Sequence, residues 1–279
     1  MKGIKSKGVV VYIALTILAI LWLLPFYINL VTALKTNKEF ALTTFWVLPS
    51  NPLNSFAANM DKALRSGNMS YYLINRLLYE TICSISATLI ASLAAFPIAR
   101  MNFRGRDAVF YIIMLGTFFP FQMYIIPLLR MWMSLELYNT FFGLQLVYTA
   151  ICIPFVTFLL RNYFITIPKD IEDAAIVDGI GYFGLYYKIF MPLALPALAV
   201  GITYQFVWIW NDLLFGMVLT SSVNTRNVMA GLTSLTGGWE YTYSTQAAAA
   251  LLAAIPPMVI FLGLQKFVAK GLLLGAVKK

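Results

Sequence analysis

Residues 167–198 read IPKDIEDAAIVDGIGYFGLYYKIFMPLALPAL, a charged and then proline-punctuated interruption between two long apolar runs. Ile167-Pro168 ends the first run, and Asp170 stands where the N-cap of a short helix is expected. Glu172 and Asp173 fall in its first turn, near the positive end of the helix dipole. Ile171, Ala174, Ala175 and Asp178 recur at helical spacing, and the two alanines are small enough to let a partner surface come close. Gly179 can take the left-handed conformation that stops a helix, and Gly181 extends the turn before a second amphipathic stretch, 182–190. Pro192 limits helix continuation, whereas Pro196 suits the start of the next helix. The stretch therefore predicts a capped helix-turn-helix, far longer than the roughly 2–8 residues of an ordinary helix connection.

The chain on both sides of it is lipid-soluble. Apolar residues make up 61% of the sequence and charged ones 11%. Six apolar runs, 9–33, 73–99, 109–129, 140–160, 197–220 and 247–267, each reach the roughly 20 residues that a spanning helix needs. Backbone groups in hydrocarbon must be satisfied within the segment, so helix is the expected state of all six. The fold class is an all-α polytopic membrane protein with six transmembrane helices in a single domain, 1–279. Lys2, Lys5 and Lys7 precede the first run, but the run is too long for a signal h-region and no small-x-small cleavage site follows it, so it is expected to stay as a span.

Orientation follows from the basic residues. With the N-terminus inside, thirteen Lys and Arg lie on the cytoplasmic side, including Arg100, Arg104, Arg106, Arg161, Lys169, Lys188, Lys266, Lys270, Lys278 and Lys279. Seven lie outside: Lys35, Lys38, Lys62, Arg65, Arg76, Arg130 and Arg226. That bias predicts both termini in the cytoplasm. The net charge of +9 then reflects topology and contact with the lipid bilayer more than affinity for nucleic acid.

Several chemistries drop out. The chain has no His, which removes imidazole metal ligands and histidine bases, and no metal or catalytic site is predicted. Cys83 and Cys152 both fall inside apolar runs, as buried free thiols do. No GxxxxGK[ST] occurs, so the chain cannot cradle ATP phosphates as a P-loop protein does. Gly179-Ile180-Gly181-Tyr182-Phe183-Gly184 matches GxGxxG but follows a charged amphipathic stretch where a strand is required, and reads as accidental.

The spacing in the charged stretch resembles the loop signature of the membrane subunits of ABC importers: Glu-Ala-Ala, three residues, Gly, nine residues, Ile-x-Leu-Pro. Here it is Asp173-Ala174-Ala175, Gly179, Ile189 and Met191-Pro192, with Asp for Glu and Met for Leu and every interval kept. FVWIWNDLLFGMVL at 206–219 and LQKFVAKGLLLGAVKK at 264–279 are similar to the carbohydrate permease family that includes the maltose permease. The resemblance implies the type I (MetI-like) permease fold, in the plasma (inner) membrane of a bacterium or archaeon. It implies a second homologous permease subunit, two cytoplasmic ABC ATPase subunits that bind ATP and Mg and receive the loop helix, and an extracytoplasmic sugar-binding protein. No cofactor would be bound by this chain itself. Glu172, Asp173, Ala174, Ala175, Asp178, Gly179, Ile189, Met191 and Pro192 are the coupling residues that follow.

Polar residues inside the spans are the second set of candidates. Asn211 and Asp212 lie in the outer half of the fifth apolar run, and an intramembrane carboxylate normally faces a bundle interior or a wet cavity. Tyr204, Trp208 and Asn211 share one helical face and could present aromatic and amide groups to a sugar; Gln122, between Pro120 and Pro127, is a further pathway candidate. The alternative is that Asp212 pairs with another helix and the aromatics anchor at the lipid boundary. Two other functions compete: a membrane-embedded enzyme pairing Asp212 with Glu80 as acid and base, and a stand-alone channel or secondary transporter. The first lacks a nucleophile-base motif, and the second leaves the capped loop helix without a purpose. The outer segment 221–244, rich in Gly, Ser, Thr and aromatics, is expected to be a surface loop.

Overall fold

In the computed structural model, residues 2–235 and 242–276 are described, the side chains of 2–7 and 267–276 excepted. Residues 236–241 of the expected outer loop, and Lys278 and Lys279 of the expected inner tail, lie outside the described residues. In chain order the helices are α1 (Lys2–Ala33), α2 (Asn37–Leu42), α3 (Pro52–Asp61), α4 (Met69–Arg100), α5 (Arg106–Leu115), α6 (Phe121–Ser134), α7 (Phe141–Thr166) and α8 (Lys169–Val177). They continue with α9 (Tyr182–Gly184), α10 (Met191–Leu193), α11 (Leu195–Trp210), α12 (Leu214–Leu219), α13 (Val228–Ser234) and α14 (Tyr243–Ala276). A π-helical turn, Leu185–Phe190, joins α9 to α10.

Four of the six expected spans are helices long and apolar enough to cross a bilayer: Gly8–Ala33, Met69–Arg100, Phe141–Thr166 and Tyr243–Lys266. The protein is a multi-pass membrane protein. The run 109–129 is not one helix. It breaks at 116–120 into α5 and α6, of 10 and 14 residues, neither of which spans alone. The cause is local: Pro120 has no N–H to give the preceding turn and pushes Phe119 away from helical geometry. The run 197–220 is also broken. α11 covers 16 residues, about 24 Å, and ends at Trp210; 211–213 are non-helical before α12 resumes. Asn211 folds its amide back on the Val207 carbonyl (2.7 Å), and Asp212 accepts the N–H groups of Phe215 (3.4 Å) and Gly216 (3.2 Å). These side-chain bonds compete with the helical ladder and replace it.

The chain divides into two compact units, residues 1–70 with 231–254 and residues 71–230 with 255–279. In the first, the small-residue face of α14 carries buried Ala247 and Ala248, which pack with Ala33, Phe56 and Met60. The loop after α1 is built around a capping box: the N–H of Glu39 donates to Thr36 Oγ1 (3.2 Å) and that of Thr36 to Glu39 Oε2 (2.9 Å). The Ser50 hydroxyl and its N–H (2.8 Å) also donate to Glu39 Oε1. Those bonds, the Ser50 hydroxyl first, hold the Glu39 carboxyl down at about 2 from an ordinary 4.5.

Among its described residues the second unit holds these apolar cores. One joins Phe96, Phe164, Ile167, Ala175, Leu185, Phe190 and Ala194; another joins Tyr79, Cys83, Leu144, Tyr148, Cys152, Ile209 and Phe215. Both cysteines are free and buried.

Candidate functional site

The charged stretch folds as a helix-turn-helix. Its N-cap is Pro168, not Asp170, because α8 begins at Lys169 and places Asp170 and Glu172 inside the first turn. Pro168 is compatible with that position since it lacks only an N–H the helix would leave unpaired. Gly179 has φ +79°, the left-handed stop, and its N–H reaches the Ile176 carbonyl (2.9 Å). The π-helical turn lies immediately before Pro192, where the missing N–H and the ring's bulk work against α-helical continuation. The pair Tyr182–Leu193 and Leu195–Trp210 then bends by 72° across Ala194, with Pro196 in the first turn of α11.

The helix pair has two faces. Glu172 and Ala175 are turned inward: Ala175 lies in the core with Phe164, Leu185 and Phe190, and Glu172 pairs with Arg100 at 3.4 Å. Arg100, the last residue of α4, also donates to the carbonyls of Phe164 (2.6 Å) and Ile167, and its guanidinium lies 4.9 Å from the Phe190 ring centre. Tyr186 and Ser92 share a hydrogen bond of 2.7 Å, and Tyr163 donates to the Leu193 carbonyl at 3.0 Å. The outward face carries Asp173, Ala174, Asp178 and Gly179 together with exposed Val177, Phe183 and Tyr187. Ile189 and Met191 are half-buried against the core, and Pro192 is exposed. The sequence reading assigned Arg100 only to inner charge; its place as the final residue of a span, beside an acidic loop, was the available signal.

The structure brings Gln122, Tyr204, Trp208, Asn211 and Asp212 together around one open pocket of about 560 Å³, closed further by Phe121, Val207, Leu213 and Leu214. Tyr204 stacks on Phe155 (4.3 Å between ring centres), and Trp208 meets Phe121 edge-on (5.5 Å). Asp212 both lines the pocket and joins two helices. Its Oδ2 accepts from the Tyr148 hydroxyl at 2.7 Å, and that hydroxyl accepts from Arg76 Nη1 (3.0 Å) and Asn227 Nδ2 (3.1 Å). Asn227 also donates to the Asp212 carbonyl (3.2 Å) and caps α13 by accepting from the Ala230 N–H (2.8 Å). Arg76 is ion-paired with Glu80 one turn along α4, and neither is exposed. Glu80 is thus buried against a cation and does not line the pocket that Asp212 lines. Arg76 and Glu80 were legible as opposite charges at i,i+4 inside an apolar run. Among the described residues no cluster of acidic or thiol groups is placed to hold a metal.

Part of the segment 221–244, expected to be an outer surface loop, is firmly held. Asn139 Oδ1 accepts the N–H groups of Ser221 (2.8 Å) and Ser222 (3.0 Å), while Asn75 donates to the carbonyls of Val223 (3.3 Å) and Asn224 (2.5 Å).

A helical bundle with a pinned loop helix and a polar-aromatic pocket, but no nucleotide-binding loop, can be compared with known proteins. Residues 87–273 match the family described as the binding-protein-dependent transport system inner membrane component. The osmoprotective compounds uptake permease protein GgtD of Synechocystis is 33% identical over 272 residues, 96% of this chain and 91% of that protein. The alpha-glucoside transport system permease protein AglG of Rhizobium meliloti is 32% identical, over 79% of this chain and 60% of that one. A crystal structure of a bacterial alginate ABC transporter, in complex with an alginate pentasaccharide-bound periplasmic protein, contains a chain that superposes with TM-score 0.64 at 17% identity, covering 91% of this chain and 92% of that one. With the family matched over most of the chain, a relative aligned almost end to end and the type I importer permease fold, this chain belongs to the binding-protein-dependent inner membrane component family, the permease subunits of ABC transporters.

Proposed function

We propose that this chain forms half of the translocation pathway of an ATP-driven importer for a sugar or sugar-containing solute, and that α8 passes the motion of partner ATPases to the spans. The observation that carries the reading is the two-faced loop helix pair. Its inner face is fixed by Arg100, Glu172 and Ala175, and its outer face presents Ala174, Val177, Phe183 and Tyr187 uncovered. An apolar patch on a rigidly held helix pair suits docking, and rigid attachment lets closure of a partner rotate the spans as a lever. The chain carries no phosphate-binding loop of its own, so ATP and Mg would be held by the partners. A second homologous permease would complete the pathway. A binding protein outside is supported by the family's description and by the alginate transporter complex. The basic bias supports both termini in the cytoplasm, and the family's description as an inner membrane component supports a plasma (inner) membrane.

The solute class is supported by the pocket. Tyr204 and Trp208 offer ring faces to the C–H faces of a pyranose, while Gln122 and Asn211 offer amides to its hydroxyls. Relatives named for alpha-glucoside and alginate transport point the same way. Reconstitution with the second permease, the ATPase and the binding protein tests the reading. ATP hydrolysis is expected to rise when a transported member of a panel of mono-, di- and oligosaccharides is added, and Trp208→Ala is expected to weaken uptake. Solute accumulation by this chain alone, driven by an ion gradient, would overturn it.

A further inference from the structure

Lys35 stands two residues beyond the end of α1 and is 2% exposed. Its Nζ donates to Thr43 Oγ1 (3.0 Å) and to the Thr44 carbonyl (2.7 Å), so two of its three donors are used and both acceptors are neutral. Arg76 and Arg100 each have a carboxylate within ion-pair distance, whereas Lys35 has none among the described residues. A buried charge normally has a counter-charge. Beside Lys35 lies a pocket of about 360 Å³, walled by Thr32, Thr43, Phe45 and Trp46. A second, mostly apolar groove of about 580 Å³ shares Ile28, Thr32 and Phe40 with that pocket and runs along α1 past Pro25 to Leu21. From Ile28 to Leu21 is about 10 Å of helix. A cationic seat at the mouth of an apolar groove is the negative image of an anionic amphiphile.

We propose that Lys35 seats the phosphate of an anionic phospholipid, with one acyl chain lying in the groove along α1. Three features select lipid over other occupants. Within α1 an 18-residue apolar stretch has no buried residue, Leu21 and Trp22 among the exposed ones, so the groove opens onto a lipid-facing flank. Lys35 follows directly on the span, at the level where headgroup phosphates lie. Trp46 is 62% exposed at the pocket's rim, as aromatics at a membrane boundary are. The ammonium fixes the headgroup by charge, and the Thr32 hydroxyl on the pocket wall can donate to one of its remaining oxygens. None of the pocket's lining residues is among those assigned to coupling or to the pathway.

The test uses the purified full-length chain in detergent, with phosphatidylglycerol, phosphatidylcholine or inorganic phosphate added. Native mass spectrometry is expected to show one phosphatidylglycerol retained above the background of loose lipid, and thermal unfolding is expected to shift upward with phosphatidylglycerol more than with the other two. Lys35→Met is expected to weaken retention about tenfold, the effect of one charged hydrogen bond, while Lys38→Met at the exposed neighbour leaves it unchanged. If Lys35→Met does not fold, the comparison of the two lipids on the unmodified chain still decides. Equal retention of both lipids, equal retention by the Lys35→Met chain, or displacement by inorganic phosphate overturns the proposal. So does a second membrane subunit that copurifies over the groove and excludes lipid.

Discussion

Tyr148 donates a 2.7 Å hydrogen bond to Asp212 and so ties α7 to the break between α11 and α12. The same hydroxyl accepts from buried Arg76 and Asn227, and one oxygen atom thereby holds α4, α7, the pocket wall and the cap of α13 in register. Buried polar networks of this kind favour a single arrangement, and losing one member strands the others.

Tyr148→Phe removes that oxygen and leaves three polar groups short of a partner. We expect a loss of about 1–3 kcal/mol, read as a lower unfolding temperature in detergent, together with a loosened pocket. An unchanged unfolding temperature would mean that the network does not hold the break.

The two alanines of the loop should behave oppositely. Ala175→Leu forces a larger side chain into the core beside Phe164 and Leu185 and should cost about 1–3 kcal/mol. Ala174→Leu sits on the exposed face and should leave unfolding unaltered while reducing solute-stimulated ATP hydrolysis in the assembled transporter. The reverse order of effects would reverse the assignment of the faces.

At Gly179 a Cβ would meet nothing within 4 Å, so the cost of substitution there is backbone conformation alone. Gly179→Val should destabilise the turn by about 1–2 kcal/mol, and Gly179→Asn by clearly less, because Asn tolerates the left-handed region. Circular dichroism melts and uptake should rank Gly, Asn, Val in that order.

Glu39 gives the loop after α1 a defined acid response. Its carboxyl is depressed to about 2 in the folded chain from 4.5, so its contribution is complete above 4.5 and is lost as pH falls toward 2. Hydrogen exchange at the N–H groups of Thr36 and Ser50, corrected for the intrinsic rate, should stay protected at pH 5 and open between pH 4.5 and 2. Glu39→Gln should remove that step, and a step at the same pH in that variant would place its origin elsewhere.

The loop was the most legible part of the chain, since its turn depends on short-range chemistry: a glycine forced to positive φ and prolines that stop or start helices at fixed offsets. The N-cap moved from Asp170 to Pro168 because a proline just before a helix is itself a good start, a competition the reading did not weigh. Hydropathy gave four spans cleanly but ran across two breaks. Averaging over about 20 residues hides a Pro120 or an Asn211-Asp212 pair whose effect is confined to a single turn. The pathway candidates proved neighbours because Tyr204, Trp208 and Asn211 share a helical face, which spacing alone reveals. That Gln122 faces them depends on how α6 packs against α11 and α12, and local sequence does not encode it. Thr36-x-x-Glu39 was a readable capping box, since Thr followed three residues later by Glu is its sequence signature.

The central claim is that the exposed face of the helix pair docks an ATPase. A photo-reactive amino acid placed at Phe183, which is 77% exposed, tests it most directly in intact cells, with the crosslinked protein identified by mass spectrometry. The account predicts a single main adduct with a P-loop ATPase, with a yield that changes between nucleotide-free and ATP-trapped states. Adducts with lipid alone, or with no ATPase while the protein is folded and in the membrane, would contradict it.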